Sequence, residues 1–180
     1  DARVSFIYKS LKNINKELSK YDSSILCLIG DPIDVWTGVI NNYDIAEVYI
    51  NKDYEPKAIE RDNNINSILK SAGAKLFQFK DHVIFEEVDI LKDNASPYTV
   101  YTPYKNKWIK NFNPNILNNV ICKKPDNFLH KQFPYPTLED IGFKRSTIQV
   151  KNFNLDLLKK YDTNRDFPSV DGTSYLGPHL

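Results

Sequence analysis

The stretch of sequence that decides the fold is residues 47–79, which read EVYINKDYEPKAIERDNNINSILKSAGAKLFQF. Its two ends, Glu47–Ile50 and Lys75–Phe79, are rich in β-branched and aromatic residues and predict strands. Between them, Glu55–Pro56 has the chemistry of a helix start, and Gly73 that of a helix end. Two strands joined through a helix are typical of a parallel pair, so this stretch predicts an α/β fold.

The residues before this stretch predict two more helices and one more strand. From Val4 to Leu18, apolar residues recur every three or four positions, as in an amphipathic helix. Ser24–Ile29 is a short, almost continuously apolar run that predicts a strand buried on both faces. Asp31–Pro32 then supplies the N-cap and first residue of a helix reaching about Asn42. We therefore expect a Rossmann-like open parallel sheet with helices on both faces.

The order of these elements is unusual, because the chain begins with a helix and folds of this type normally begin with a strand. The sequence also contains no methionine, not even at position 1. We therefore expect the chain to be a fragment whose α/β domain lacks its first strand.

Beyond residue 79 the regular alternation of helix and strand ends. Tyr98–Tyr101 is a β-prone run, and Thr102–Pro103 predicts the start of a helix through Trp108. A proline-containing stretch with little periodicity follows, and Leu155–Tyr161 begins another helix. We expect three parts: an α/β domain at 1–112, a long irregular linker at 113–154, and the start of a helical domain at 155–180.

The composition excludes several classes of protein. The 180 residues carry a formal net charge of +1, so no global basic field indicates nucleic acid, and a DNA partner would need a local patch. Two cysteines are too few for a disulfide scaffold, and no run of about 18 apolar residues predicts a membrane span. Glycine-rich nucleotide motifs are absent, and three dispersed histidines predict no metal site. A soluble protein of a reducing compartment is expected.

Four segments could carry chemistry: Asn51–Asp62, Lys80–Glu86, Tyr98–Trp108 and Arg165–Leu180. The first follows the carboxyl end of a strand, where α/β sheets bind ligands, although an ordinary loop and helix start is the alternative. The aromatic residues of the third could stack on nucleic acid, but the helical spacing of Tyr104 and Trp108 favours packing. The last places hydroxyl groups beside Gly172, which suits a phosphate or, alternatively, a tight turn.

Together and in this order, the four segments resemble the DNA photolyase and cryptochrome family. The resemblance covers nearly the whole chain and is strongest to bacterial class I cyclobutane-dimer photolyases. It implies an N-terminal α/β antenna domain, a long linker, and an all-helical domain that binds FAD. Only the first part of that helical domain would be present here.

The resemblance also assigns roles to residues near the end of the chain. Tyr161 matches a tyrosine that contacts FAD, and Arg165 matches an arginine that contacts the DNA backbone near the lesion. The residues that match the stretch holding the FAD phosphates are Thr173, Ser174, Tyr175, Leu176 and Gly177. The family usually has serine where this chain has Gly177, so this chain lacks one hydroxyl donor at that position.

A second set of residues matches the antenna site of the family, namely Glu55, Lys57 and Ala58. Folate-binding relatives carry an asparagine–glutamate pair where this chain has Lys57 and Ala58, so the carboxylate that would bind a pterin is absent. The resemblance leaves the antenna chromophore open between folate, flavin and deazaflavin, or none.

For function, the resemblance implies light-driven repair of cyclobutane pyrimidine dimers by electron transfer from reduced FAD. The implied partner is damaged DNA containing pyrimidine dimers, and a monomer in the bacterial cytoplasm is expected. A cryptochrome, a (6-4) photolyase and a stand-alone nucleotide-binding α/β protein are the alternatives.

Overall fold

The computed structural model describes residues 1–117, 127–148 and 150–177. It divides the chain into two compact units, of which the first comprises Asp1–Cys27 and Lys124–Leu180 and the second comprises Leu28–Lys123. The helices are α1 (Ala2–Leu18), α2 (Pro32–Asn42), α3 (Pro56–Ser71), α4 (Tyr101–Asn111) and α5 (Tyr161–Asn164). The strands are β1 (Glu47–Asn51) and β2 (Lys75–Phe79), and short 3₁₀ helices lie at Ser19–Tyr21, Pro114–Leu117 and Leu155–Lys160.

The second unit is built on the parallel pair of strands that residues 47–79 predict. β1 and β2 pair in parallel, with Glu47 opposite Lys75 and Asn51 opposite Phe79. Helix α3 connects them and ends before Gly73, whose φ of +82° is in the left-handed region. After this glycine, the Ala74 N–H donates to the Leu69 carbonyl at 2.9 Å, which closes the helix. The predicted α/β fold is confirmed.

The hydrophobic core of the second unit lies between this sheet and two helices. Ile65, Leu69 and Ala74 are buried, and Leu69 has no exposed surface. The residues packed around them come from α2, the two strands and the loop before β1: Ile33, Trp36, Ile40, Ile45, Val48 and Leu76. Helices α2 and α3 therefore cover one face of the sheet.

The other face of this sheet carries a row of aromatic side chains. The Tyr49 ring stacks on the rings of Phe77 and Phe79, with centroids 5.1 Å and 6.2 Å apart. All three side chains are substantially exposed. In the described part of this unit, helices thus cover one face of the sheet and not both.

The strand expected at Ser24–Ile29 is wrong, and the described sheet has two strands where three were predicted. The backbone and side-chain groups at the start of this run bond elsewhere. The Ile25 N–H donates to Asn15 Oδ1 at 2.7 Å. Ser24 Oγ donates to the Lys131 carbonyl at 2.9 Å and accepts from the Phe133 N–H at 2.7 Å. The run has the composition of a strand but pairs with none among the described residues.

The first unit is held together by contacts between α1 and the later part of the predicted linker. The Tyr8 hydroxyl donates to the Pro136 carbonyl at 3.0 Å, and the Tyr8 and Tyr135 rings lie 5.6 Å apart. The Ser146 N–H donates to Ser5 Oγ at 3.0 Å. Residues 127–148 consist mainly of turns and irregular backbone, as expected, but they are bonded along α1. Positions 118–126 and 149 of the predicted linker lie outside the described residues.

Two expectations on helices have different outcomes. The β-prone run at Tyr98–Tyr101 forms no strand, and α4 begins at its last residue, Tyr101. The Trp108 ring of this helix packs edge-on against the Phe85 ring, with 5.3 Å between the ring centroids. Trp108 therefore packs as expected, whereas Tyr101 is 74% exposed. The helix expected from Leu155 forms as a 3₁₀ helix continued by α5. The boundaries 1–112, 113–154 and 155–180 stay predictions.

No helix in the described ranges is long and apolar enough to cross a membrane.

Candidate functional site

The loops that follow the two strands meet at the carboxyl edge of the sheet. Lys52 Nζ lies 2.8 Å and 3.1 Å from the two carboxylate oxygens of Glu86, and the Tyr54 hydroxyl lies 3.3 Å from Glu86 Oε1. His82 Nε2 lies 2.9 Å from the Lys52 carbonyl, and its ring packs against Tyr54. The first two segments singled out in the sequence are therefore joined by one polar cluster.

The electrostatics of this cluster favour its charged form. The hydrogen bond from the Lys52 ammonium lowers the pKa of Glu86, and the same bond raises the pKa of Lys52. Both side chains are partly buried. The two groups therefore remain a charged pair at neutral pH, and they tie the loop after β1 to the loop after β2.

Replacing Glu86 with glutamine is expected to lower the stability of the protein at neutral pH, because Lys52 loses its anionic partner. Because the pKa of Glu86 is lowered in the folded protein, its contribution to the free energy of unfolding is fully present above the ordinary carboxyl pKa of about 4.3. This contribution is lost as the pH falls through the lower pKa of the folded state. Urea unfolding of wild type and variant should give different midpoints near pH 7 that converge in strong acid.

The matched control is Asp93→Asn, which breaks the pair between Lys107 and a fully exposed Asp93. Exposed pairs contribute little to stability, so its midpoint should follow the wild type at every pH. A Glu86→Gln midpoint that also follows the wild type would show that the two loops are held without this pair.

An open groove of about 1000 Å³ lies at the first residues of α2 and α3. Its walls include the three candidate antenna residues, Glu55, Lys57 and Ala58, together with Asp31, Glu60 and Arg61. The structure thus brings the sequence-predicted antenna residues into one concave site with charges of both signs.

Local sequence explains how the groove is built. Asp53 Oδ1 accepts from the Glu55 N–H at 3.0 Å, and Pro56 follows as the first residue of α3. On the opposite wall, Asp31 Oδ1 accepts from the Ile33 N–H at 2.9 Å and caps α2. Arg61 is oriented by Asp62, which is 4% exposed and lies 2.7 Å from the guanidinium.

Sequence reasoning placed Arg61 in the candidate segment Asn51–Asp62 but did not identify Asp31 as a residue of this site. A signal for Asp31 was available, because Asp31–Pro32 follows an apolar run just as Glu55–Pro56 follows β1. The same argument about strand ends and ligands applies to both positions.

The second candidate site lies in the first unit, around the short helix α5. The Arg165 N–H donates to the Tyr161 carbonyl at 2.9 Å, and the Arg165 guanidinium carbon lies 5.9 Å from the centroid of the Tyr161 ring. Its Nε lies 3.7 Å from the Asp166 carboxylate. The predicted flavin-contacting tyrosine and DNA-contacting arginine are thus neighbours, and both are exposed.

The loop after α5 is held against this helix through a glycine. Gly172 is buried, and a Cβ atom at this position would lie 2.6 Å from the Asn164 Cβ. Only a residue without a side chain allows this approach. The stretch Thr173–Gly177 therefore begins directly beside α5, which also carries Tyr161.

The stretch Thr173–Gly177 has main-chain N–H groups that could donate hydrogen bonds to a ligand. The Ser174 carbonyl accepts from the Asn154 N–H at 2.8 Å, and Tyr175 has a left-handed φ of +57°. Within the described residues, no hydrogen bond uses the main-chain N–H groups of Thr173, Ser174, Tyr175 or Gly177. Free N–H groups beside hydroxyl side chains fit a phosphate.

Gly177 itself is not required by packing, since no described atom outside its chain neighbours lies within 4 Å of a Cβ built there. The serine that the family usually has at this position would therefore fit.

As for metals, no three histidine, cysteine, aspartate or glutamate side chains cluster within the described ranges.

A parallel β-α-β unit with a groove at the first residues of its helices defines an α/β protein. The chain belongs to the DNA photolyase family, whose sequence model it matches over residues 1–125. The match includes the β-α-β unit, the groove and the polar cluster.

Individual relatives extend the similarity to the rest of the chain. The deoxyribodipyrimidine photo-lyase of Halobacterium salinarum is 28% identical over 99% of this chain and 40% of its own length. That of Synechococcus sp. is 27% identical over 99% of this chain and 41% of its own length. An uncharacterised 31.6 kDa protein of another Synechococcus strain is 24% identical over 99% of this chain and 67% of its length. The chain thus spans about two fifths of the length of the first two relatives.

Proposed function

We propose that this protein repairs cyclobutane pyrimidine dimers in DNA by a light-driven lyase reaction that depends on reduced FAD. One observation carries the proposal: the chain aligns over 99% of its length with proteins named deoxyribodipyrimidine photo-lyase, including the loop at Thr173–Gly177. The proposal places the protein with DNA in the bacterial cytoplasm, as a monomer.

The residues around α5 fit a dinucleotide such as FAD. The N–H groups and hydroxyls of Thr173 and Ser174 would bind its phosphates, and the exposed Tyr161 ring would contact it from the neighbouring helix. When bound and reduced, FAD supplies the electron that opens the cyclobutane ring. The protein side chains bind and orient the partners.

The role proposed for Arg165 is binding of the DNA backbone. More than half of its side-chain surface is exposed, and its contact with Asp166 at 3.7 Å is loose. A guanidinium that is not held in a tight ion pair can form paired hydrogen bonds with a phosphate. Such a contact positions the DNA and weakens as the salt concentration rises.

The role proposed for the groove at Glu55, Lys57 and Ala58 is binding of an antenna chromophore. Its position at the carboxyl edge of a parallel sheet is the usual ligand position in α/β folds. Lys57 and Arg61 supply positive charge beside the carboxylates of Asp31, Glu55 and Glu60, and this mixed lining leaves the choice between flavin and deazaflavin open. Folate is the less suitable chromophore, because Ala58 offers no carboxylate to a pterin.

The test uses the whole natural protein with a duplex oligonucleotide that contains one cyclobutane dimer. Samples are incubated in blue light and in darkness, and the remaining dimers are counted by chromatography. We expect loss of dimers only in light. No loss with flavin bound and reduced would overturn the proposal, and the same assay on a (6-4) lesion would then separate a (6-4) enzyme from a cryptochrome.

A variant makes this test sharper. Arg165→Gln should weaken binding of the damaged duplex by about tenfold, the usual effect of losing one charged hydrogen-bond donor to phosphate. Arg3→Gln is the control, because Arg3 is an exposed arginine paired with Asp1 at the start of α1. Equal binding by the two variants would remove Arg165 from the DNA site.

A further inference from the structure

A lysine outside the predicted phosphate-binding stretch is bonded to the middle of that stretch. Lys151 Nζ donates to the Tyr175 hydroxyl at 3.2 Å and lies 4.4 Å from the centroid of the Tyr175 ring. The Tyr175 hydroxyl in turn donates to the Asp171 carboxylate. These three residues form one network that spans 24 positions of sequence.

The network is anchored at a second point. Three residues after Lys151, the Asn154 N–H donates to the Ser174 carbonyl at 2.8 Å. Asn154 also caps the 3₁₀ helix Leu155–Lys160, because its Oδ1 accepts from the Asp156 N–H at 3.0 Å. The segment that carries Lys151 is therefore fixed alongside the loop by two independent bonds.

The charge balance of the loop shows what Lys151 contributes. Thr173–Gly177 contains no basic side chain, so its donors are neutral hydroxyls and N–H groups. Asp171, just before it, is an acidic residue that would repel a phosphate. The hydrogen bond to Tyr175 raises the pKa of Lys151, which keeps the ammonium charged at neutral pH.

We propose that Lys151 is a further ligand-binding residue of this loop, and that its ammonium neutralises the diphosphate of a dinucleotide bound by Thr173–Gly177. Tyr175 and Asp171 are positioning residues that hold Lys151 beside the loop. The proposal rests on the flavin site of the proposed function and adds a residue to it. The attraction between a cation and a diphosphate is screened by salt, so Lys151 makes the affinity depend on the salt concentration. Hydrogen bonds from neutral donors do not have this dependence.

The experiment titrates the whole natural protein, freed of bound flavin, with ADP and with FAD, which share a diphosphate, and follows the amide resonances of Thr173–Gly177 by NMR. Adenosine and riboflavin, which carry no phosphate, are the negative probes. We expect ADP and FAD to shift these resonances with a dissociation constant that rises with salt. Lys151→Gln should raise that constant about five- to tenfold and flatten its salt dependence.

Two further variants separate binding from folding. Lys151→Arg keeps the charge and should restore the dissociation constant to within about twofold of wild type. Lys159→Gln removes an exposed lysine that pairs with Asp156 and should change neither affinity nor salt dependence. The salt dependence separates the two roles, because a Lys151 that only supported the fold through its bond to Tyr175 would leave the salt dependence of binding unchanged in Lys151→Gln.

The possible outcomes distinguish the two proposals. If wild type binds ADP and FAD and Lys151→Gln binds them equally well with the same salt dependence, the role of Lys151 is overturned and the flavin site stands. If wild type shifts no loop resonance with either probe at millimolar concentration, the phosphate site in this chain and the role of Lys151 both fail.

Discussion

Replacing Leu69 with alanine is expected to lower the free energy of unfolding by about 2–5 kcal/mol, the range for a buried leucine in a well-packed core. Leu69 has no exposed surface and lies in the cluster with Ile65 and Ala74. Trp36 packs against the same cluster, so its fluorescence reports on the loss of this core. Urea unfolding monitored by fluorescence would measure the change.

The matched control for this prediction is Ile59→Ala on the same helix, α3. Ile59 is 45% exposed, so its truncation removes less buried surface and leaves no enclosed cavity. We expect a loss of less than about 1 kcal/mol. Equal losses for the two variants would mean that α3 is not held to the sheet through Leu69.

Replacing Gly172 with alanine is expected to displace the loop Thr173–Gly177 and to lower stability by about 1–3 kcal/mol, as overpacking of a close contact does. The new Cβ would lie 2.6 Å from the Asn164 Cβ and 3.3 Å from its carbonyl carbon and oxygen. Because two of these three atoms belong to the backbone, no side-chain rotation relieves the clash. Amide resonances of Asn164 and Tyr175 should shift, and the affinity for ADP should fall with them.

Gly177→Ala is the control for this prediction. It adds the same methyl group in the same loop, where no described atom outside the adjacent residues lies within 4 Å. Its stability should stay within about 0.5 kcal/mol of wild type. If Gly172→Ala behaved in the same way, the loop would not be seated against Asn164.

The part of the fold that could be predicted from sequence is the part with local signals. The alternation in residues 47–79, the Glu55–Pro56 start and the Gly73 end all act within a few positions of where they stand. The strand expected at Ser24–Ile29 failed for the opposite reason. An apolar run becomes a strand only if another strand is beside it, and the Ile25 N–H bonds instead to Asn15.

The candidate sites divide in the same way. Glu55, Lys57 and Ala58 lie together because they are neighbours in the chain, so a motif could place them. The pair between Lys52 and Glu86 joins residues 34 positions apart, and the bond between Lys151 and Tyr175 joins residues 24 apart. No periodicity links such positions, because tertiary packing alone brings them together.

The separation between the Lys52–Glu86 pair and the groove walls has a consequence for substitutions in the groove. The side chains that fix the two loops are different from Lys57 and Ala58, which face a chromophore in the proposed site. In the proposed antenna site, a substitution at the exposed Lys57 would therefore act on the chromophore while the Lys52–Glu86 pair keeps its contribution to stability, since neither residue of the pair lines the groove.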